Sequence, residues 1–132
     1  MDDDTRILHQ TLREPHVWHL ATSGSDQRPH VSAVWVDLRG DHILLNSALG
    51  RIKVRNITQN PRVALSWCDA ANPDHNFAVQ GRVVDTIAGE QAEADCDNLA
   101  RKYIGEDYPW RAEGEQRVTF LIEPTRIRHQ GG

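Results

Sequence analysis

Six short runs of apolar and β-branched residues alternate with turn-forming residues along the chain, a pattern typical of β-strands. The predicted strands cover residues 17–22, 30–37, 42–46, 62–67, 77–84 and 118–123. Two turn segments, Ser23-Gly24-Ser25-Asp26 and Leu38-Arg39-Gly40-Asp41, separate the first three strands. We therefore expect these three strands to pair as an antiparallel meander.

Helical periodicity appears in three segments, 4–13, 51–59 and 90–104. In the last of these the apolar residues fall on one face, and Gly105 follows as a stop signal; this face consists of Ala92, Cys96, Leu99, Ala100 and Tyr103. We expect this helix to pack on the sheet and the N-terminal helix to cover one end of it. The short middle helix is ended by Asn60-Pro61.

Several short strands with few helices fit an open sheet, a sandwich or a barrel. Closing the sheet removes its exposed edges, so a barrel is favoured for a core of this size. With 132 residues, the chain is predicted to form a single domain over residues 1–132.

Composition excludes several classes of partner. The net charge of -4 argues against general affinity for nucleic acids. No apolar stretch approaches the roughly 20 residues of a membrane span, and the N-terminus lacks the layout of a secretion signal. We expect a cytoplasmic protein without membrane partners. His16 and His19, three apart in a strand, point to opposite faces, so no metal site is predicted.

The basic segment 46–56 places a turn of small residues before a helix start. Free backbone N–H groups at such a start attract anions, and Ser47 is available as an N-cap or a hydroxyl donor. Arg51 and Arg55 lie four residues apart on one helix face, while Lys53 projects in another direction. The segment thus predicts an anion site, and the alternative is a solvated basic face.

Five segments, in this order, resemble the pyridoxamine-phosphate-oxidase-like split-barrel superfamily, and most closely its F420-dependent branch. They are RPHVSAVWVD at 28–37, GRIKVRN at 50–56, NPRVALSW at 60–67, VQGRV at 79–83 and KYIGEDYPWR at 102–111. The resemblance covers nearly the whole chain. It implies a mainly β fold, a six-stranded antiparallel split β-barrel with a few flanking helices, and a homodimer with a cofactor groove between its subunits.

The resemblance also implies which positions contact the cofactor. The second predicted strand would run along the ring, the end of the third would meet the polar chain, and Lys53 would bind a phosphate. The full set of cofactor-binding positions is Ser32, Ala33, Val34, Trp35, Asn46, Ser47, Arg51, Ile52, Lys53, Arg55 and Asn76.

Two departures from the flavin-mononucleotide (FMN) enzymes bear on which cofactor is bound. Ser32 and Ile52 stand where those enzymes usually carry arginines that bind the terminal phosphate. Bidentate guanidinium contacts supply much of the recognition of such a phosphate. Coenzyme F420 carries an internal phosphodiester and a glutamate tail instead, which suits the row Arg51, Lys53 and Arg55. F420 is therefore the favoured cofactor and FMN the alternative.

A substrate pocket is predicted from Trp35, Tyr108, Trp110 and Arg111, although plain packing is an equally simple role for the aromatic residues. No catalytic protein residue is expected, because such a cofactor supplies the reactivity and the protein supplies orientation. Three functions stay open: an F420-dependent reductase of a small organic acceptor, an FMN-dependent oxidase, and a non-catalytic cofactor carrier.

Overall fold

The computed structural model describes residues 1–131 and shows seven strands and three helices in that range. The strands are β1 Trp18–Ser23, β2 Pro29–Val34, β3 Val36–Arg39, β4 His42–Ala48, β5 Arg62–Cys68, β6 Asn76–Ile87 and β7 Arg117–Gln130. The helices are α1 Asp3–Arg13, α2 Ile52–Gln59 and α3 Glu90–Ile104. No helix in residues 1–131 is long and apolar enough to cross a membrane.

All seven strands belong to one antiparallel sheet with the order β2-β1-β5-β6-β7-β4-β3. Its two edge strands, β2 and β3, are joined by the single residue Trp35. Since one residue spans only about 3.5 Å, the sheet must curl until its edges meet at this point. The predicted split β-barrel is therefore confirmed.

The predicted second strand, 30–37, is not continuous, which raises the strand number from six to seven. Its first part pairs with β1, and its last part pairs with β4 on the opposite edge of the sheet. Both predicted hairpins are present, but the expected meander of three strands is wrong, because the chain changes edges between the hairpins at Trp35. The apolar run gave no sign of this break because Val31, Val34 and Val36 continue the same strand-like pattern across it.

Two strands extend beyond their predicted ends. β6 continues to Ile87 and β7 to Gln130, paired to each other through two irregularities in register. The added residues are mostly exposed, so they lack the alternation that marks a half-buried strand. Pairing to a neighbouring strand, rather than burial, holds them in extended form.

The core fills the barrel, and two helices extend it. α1 contributes Leu8 and Leu12, both fully buried in the main apolar cluster, and its N-terminus is capped by the Asp2 carboxylate, which accepts from Thr5 N–H at 2.7 Å. α3 matches its predicted bounds and ends at Gly105, whose φ of 78° suits glycine. Its Leu99 packs with Leu44 and Leu121 on the outside of the sheet.

Candidate functional site

A groove of about 220 Å³ opens where the β2–β3 junction, the end of β4 and the face of α3 come together. One wall of this groove carries cations and the other carries aromatic rings. It is lined by Ala33, Val34, Trp35, Asn46, Ser47, Arg51, Lys53, Cys96, Leu99, Tyr108, Trp110 and Arg117.

Lys53 dominates the cationic wall. Its half-buried ammonium lies 3.4 Å from the Ser32 hydroxyl. Burial lowers the pKa of Lys53, and the positive charges of Arg51 and Arg117 lower it further. Among residues 1–131, no carboxylate forms an ion pair with the Lys53 ammonium, whose side-chain contact is with Ser32. This is the electrostatic setting of an anion site, because a bound anion would relieve the repulsion.

The connection from β4 to α2 sets the direction of these cations. Gly50 turns the chain with a φ of 95°, a conformation that favours glycine, and Arg51 follows as the N-cap residue of α2. Val54 and Ile57 bury one side of the helix. Of the two roles predicted for Ser47, the structure excludes the N-cap, because Ser47 is still part of β4, where it pairs with Val118.

Aromatic rings in mutual contact form the other wall. Trp35 stacks on Tyr103 with ring centroids 5.1 Å apart, and Tyr108 meets Trp35 edge-on at 6.2 Å. Trp110 lies edge-on to Tyr108 at 5.6 Å and is 63% exposed at the rim. This wall presents flat apolar surface to anything that enters the groove.

Arg111, predicted in the substrate pocket, does not line the groove. Its guanidinium binds Asp97 at 2.9 Å and Glu93 at 3.2 Å, and these carboxylates raise its pKa. The Asp97 carboxylate also accepts from the Tyr108 backbone N–H at 3.0 Å. Arg111 therefore attaches the loop that carries Tyr108 and Trp110 to α3.

Three of the predicted cofactor positions lie outside the groove of this chain. Ile52 is 48% exposed, and Arg55 points into solvent from the middle of α2. Asn76 begins β6 and donates to the Pro73 carbonyl at 3.2 Å. Ser32 reaches the site only through its contact with Lys53. The remaining seven positions are gathered around one groove.

Sequence reasoning missed three groove residues: Cys96, Leu99 and Arg117. Cys96 and Leu99 were predicted on the packing face of α3, and that face also borders the groove. Arg117 reaches the site through the register of the sheet, in which it pairs with Ala48 at the end of β4. Only the pairing of β4 with β7 brings Arg117 beside the end of β4, from which it is distant in the sequence.

A buried polar network connects the groove with the opposite side of α3. Asp95, 1% exposed, binds Arg39 at 2.6 Å and accepts from the Thr119 hydroxyl at 2.8 Å. Asn46 donates to Thr119 at 3.0 Å and accepts from Arg117 Nε at 2.9 Å. Burial opposes ionisation of Asp95, but its hydrogen bonds outweigh this effect and keep its pKa below the ordinary value.

The donor set fits a molecule with a flat ring and an acidic chain. The aromatic wall can hold the ring, and the wall with Arg51 and Lys53 can hold the chain. Complete small-molecule sites usually enclose about 300 to 1,000 Å³. At about 220 Å³, the groove supplies only part of such a site.

A curled antiparallel barrel with a cationic and aromatic groove defines a split-barrel protein of the cofactor-binding class. The sequence profile described as pyridoxamine 5'-phosphate oxidase matches residues 5–131. The chain belongs to this family, as the sequence resemblance predicted.

Solved structures agree with this assignment. The chain is 32% identical to an F420 reductase, with a TM-score of 0.81 over 91% of this chain and 94% of the reductase. A conserved hypothetical protein of Mycobacterium tuberculosis is 21% identical, with a TM-score of 0.77 over 98% of this chain and 84% of that one. A heme-binding protein of Mycobacterium smegmatis is 21% identical, with a TM-score of 0.71 over 100% of this chain and 55% of that one. The last two show the shared fold alone. A comparison with curated proteins found no significant match.

Tyr103, which stacks on Trp35, also makes a contribution to the free energy of unfolding that depends on pH. Its hydroxyl donates to the His16 carbonyl at 2.5 Å and accepts from Val36 N–H at 3.0 Å. Burial raises the pKa of Tyr103 to about 12. Because its folded-state pKa lies above the unfolded value, the contribution is complete below about pH 10 and is lost as the pH rises towards 12.

We therefore expect Tyr103→Phe to cost about 1 kcal/mol of unfolding free energy at pH 8, for the lost hydrogen bonds. Between pH 9 and pH 12 the wild type should lose about 1 to 2 kcal/mol relative to the variant, a range reduced for the partial exposure of the ring, so the stability gap should close or reverse its sign. Urea unfolding across this range measures the gap. Tyr108→Phe is the matched control, and a pH-independent gap for Tyr103→Phe contradicts the prediction.

Proposed function

We propose that this protein is an F420-dependent oxidoreductase that transfers a hydride from the reduced deazaflavin to a small organic acceptor. The observation that carries the proposal is the pairing of a half-buried, uncompensated Lys53 with an aromatic wall across one groove. Similarity to an F420 reductase over most of both chains supports it.

The cations of the groove favour F420 over FMN. Ser32 and Ile52 occupy the positions where FMN enzymes of this family carry phosphate-binding arginines, and Ile52 is 48% exposed. Arg51 and Lys53 remain in the groove, and Arg55 lies further along α2. Such a row suits the phosphodiester and glutamate tail of F420 better than one terminal phosphate. FMN remains the second candidate within the same fold.

The cofactor supplies the hydride chemistry, so the chain needs to bind, orient and exclude water. Ala33, Val34 and Trp35 would lie along the ring, with Tyr108 and Trp110 facing the acceptor. Arg51 and Lys53, together with Asn46 and Ser47 at the end of β4, would hold the polar chain.

A second copy of the chain is proposed to complete the site. The groove of one chain is smaller than a complete small-molecule site. Trp110 on its lining is exposed, and Leu49 and Ile52, which neighbour the lining residues Ser47, Arg51 and Lys53 in the sequence, are exposed as well. Multi-angle light scattering should give twice the mass of the 15.0 kDa chain. A monomer at concentrations where the cofactor is bound would contradict the dimer.

Titration of the purified protein with F420 and with FMN, followed by fluorescence, separates the two cofactors. Tight F420 binding without FMN binding supports the proposal, and the reverse result overturns it in favour of a flavoprotein.

Turnover separates an enzyme from a carrier. Reduced F420 is mixed with the protein and a panel of unsaturated and quinone-like acceptors, and reoxidation is followed by absorbance. Acceptor-dependent reoxidation above the protein-free rate supports an oxidoreductase. Tight binding without turnover on any acceptor favours the carrier.

A further inference from the structure

Arg117, at the start of β7, places a buried guanidinium in the groove. The residue is 8% exposed. Its Nε donates to Asn46 Oδ1 at 2.9 Å, and its Nη1 donates to Glu115 Oε2 at 3.2 Å. A guanidinium has five N–H donors, so three of them have no partner among residues 1–131. Because Arg117 also lines the groove, these donors are available there to an oxygen or nitrogen acceptor on a ligand.

The guanidinium is held in a fixed orientation. Asn46 can accept from Arg117 because its own amide donates to Ala92 O at 2.8 Å and to Thr119 Oγ1 at 3.0 Å. Thr119 is anchored in turn by the buried Asp95. On its other side the Arg117 guanidinium lies 5.0 Å from the Tyr108 ring centre. Arg117 thus acts from the aromatic side of the groove with little freedom to reorient.

We propose that Arg117 determines redox-state specificity: its guanidinium binds the polar edge of the cofactor ring and favours the reduced state. The inference rests on the proposed function and deepens it. Uptake of a hydride brings one proton and two electrons into the ring, so the ring gains one negative charge, and the hydride donor loses one. A fixed cation beside the ring edge that receives this charge stabilises the reduced ring relative to the oxidised ring.

Lys53 provides the contrast that makes the proposal testable. The acidic chain of the cofactor keeps its charge when the ring changes redox state. Loss of Lys53 should therefore weaken binding of both redox states by the same factor. Loss of Arg117 should weaken binding of the reduced state more.

Glu115 gives a variant with the opposite sign. Its carboxylate, nearly buried, partly compensates the Arg117 charge. Glu115→Gln leaves the guanidinium in place and removes that compensation. The preference for the reduced state should then increase.

The experiment is anaerobic calorimetric titration with oxidised F420 and with F420 reduced by borohydride. The proteins are the wild type, Arg117→Gln, Arg117→Lys, Glu115→Gln and Lys53→Ala. For Arg117→Gln, the Kd of reduced F420 should rise at least tenfold more than that of oxidised F420. A tenfold change in this ratio equals a fall of about 30 mV in the midpoint potential of the bound cofactor. Arg117→Lys should fall between Arg117→Gln and the wild type, and Lys53→Ala should leave the ratio unchanged.

Equal losses for both redox states in Arg117→Gln overturn the inference, as does a larger loss for the oxidised state. If Arg117→Gln fails to fold in a thermal scan, Glu115→Gln decides alone, and an unchanged ratio there overturns the inference. If the wild-type protein binds neither redox state of F420, both the proposed function and the inference that rests on it are contradicted. If the wild type binds F420 but Arg117→Gln leaves the ratio of the two Kd values unchanged, the inference is contradicted and the proposed function is not.

Discussion

Lys53→Ala is expected to weaken F420 binding by about 1.5 to 3 kcal/mol, the range for a hydrogen bond to a charged group. This corresponds to a rise in Kd of roughly 10- to 150-fold. The reason is that the Lys53 ammonium is half-buried and lies near the positive charges of Arg51 and Arg117. It pairs with no carboxylate in the described part of its own chain, so it is free to bind an anion. Fluorescence titration at fixed ionic strength measures the effect.

Arg62→Ala is the matched control, because it removes one positive charge from an exposed position on β5. It should change the affinity less than about threefold, since distant exposed charges are screened by salt. Arg55→Ala, on the same helix as Lys53 but outside the groove lining, should have an intermediate or small effect. An unchanged affinity in Lys53→Ala would mean that the basic helix is only a solvated face.

Asp95→Asn should lower the unfolding free energy by about 2 to 3 kcal/mol at pH 7. Loss of one partner of an ion pair costs about 3 to 5 kcal/mol when both partners are buried. Arg39 is 39% exposed, so we expect a smaller cost, about 2 to 3 kcal/mol. The Thr119 hydroxyl also loses a charged acceptor. Urea unfolding of the wild type and the variant measures the difference.

Asp107→Asn is a close control because Asp107 also binds an arginine, Arg101, at 2.6 Å, but both side chains are more than half exposed. Its cost should stay within about 1 kcal/mol. The Asp95 effect should also depend on pH. Because its folded-state pKa is depressed, its contribution is complete above the unfolded value near 4 and is lost as the pH falls through the folded value. A gap between wild type and Asp95→Asn that persists unchanged into acid contradicts the assignment.

Local signals were sufficient for the helices and the hairpins. α3 runs from Glu90 to Ile104 as predicted, because its apolar face repeats with helical spacing and Gly105 ends it. Both predicted hairpins form, since their turn residues separate strands that pair in antiparallel register. The interruption at Trp35 was not predictable in this way, because it depends on which strand lies beside each half of the run.

The residues of the candidate site also fall into those that the sequence indicated and those that only the structure revealed. Lys53 and Arg51 drew attention as a basic segment after a turn, and the resemblance pointed to Trp35, Asn46 and Ser47. Arg117 and Cys96 carried no such signal, because each is ordinary in its own segment. Arg111 drew attention beside Trp110, yet its guanidinium is engaged by two carboxylates of α3.

The amino-acid order alone determined the three helices, the positions of most strands, the family and the cationic segment, because these follow from periodicity, turn residues and motifs within short stretches of chain. The tertiary structure decided where the barrel closes, which side of α3 borders the groove, and that Arg117 lies opposite the end of β4. These features depend on strand register and sheet curvature, and both are fixed by contacts between residues far apart in the chain.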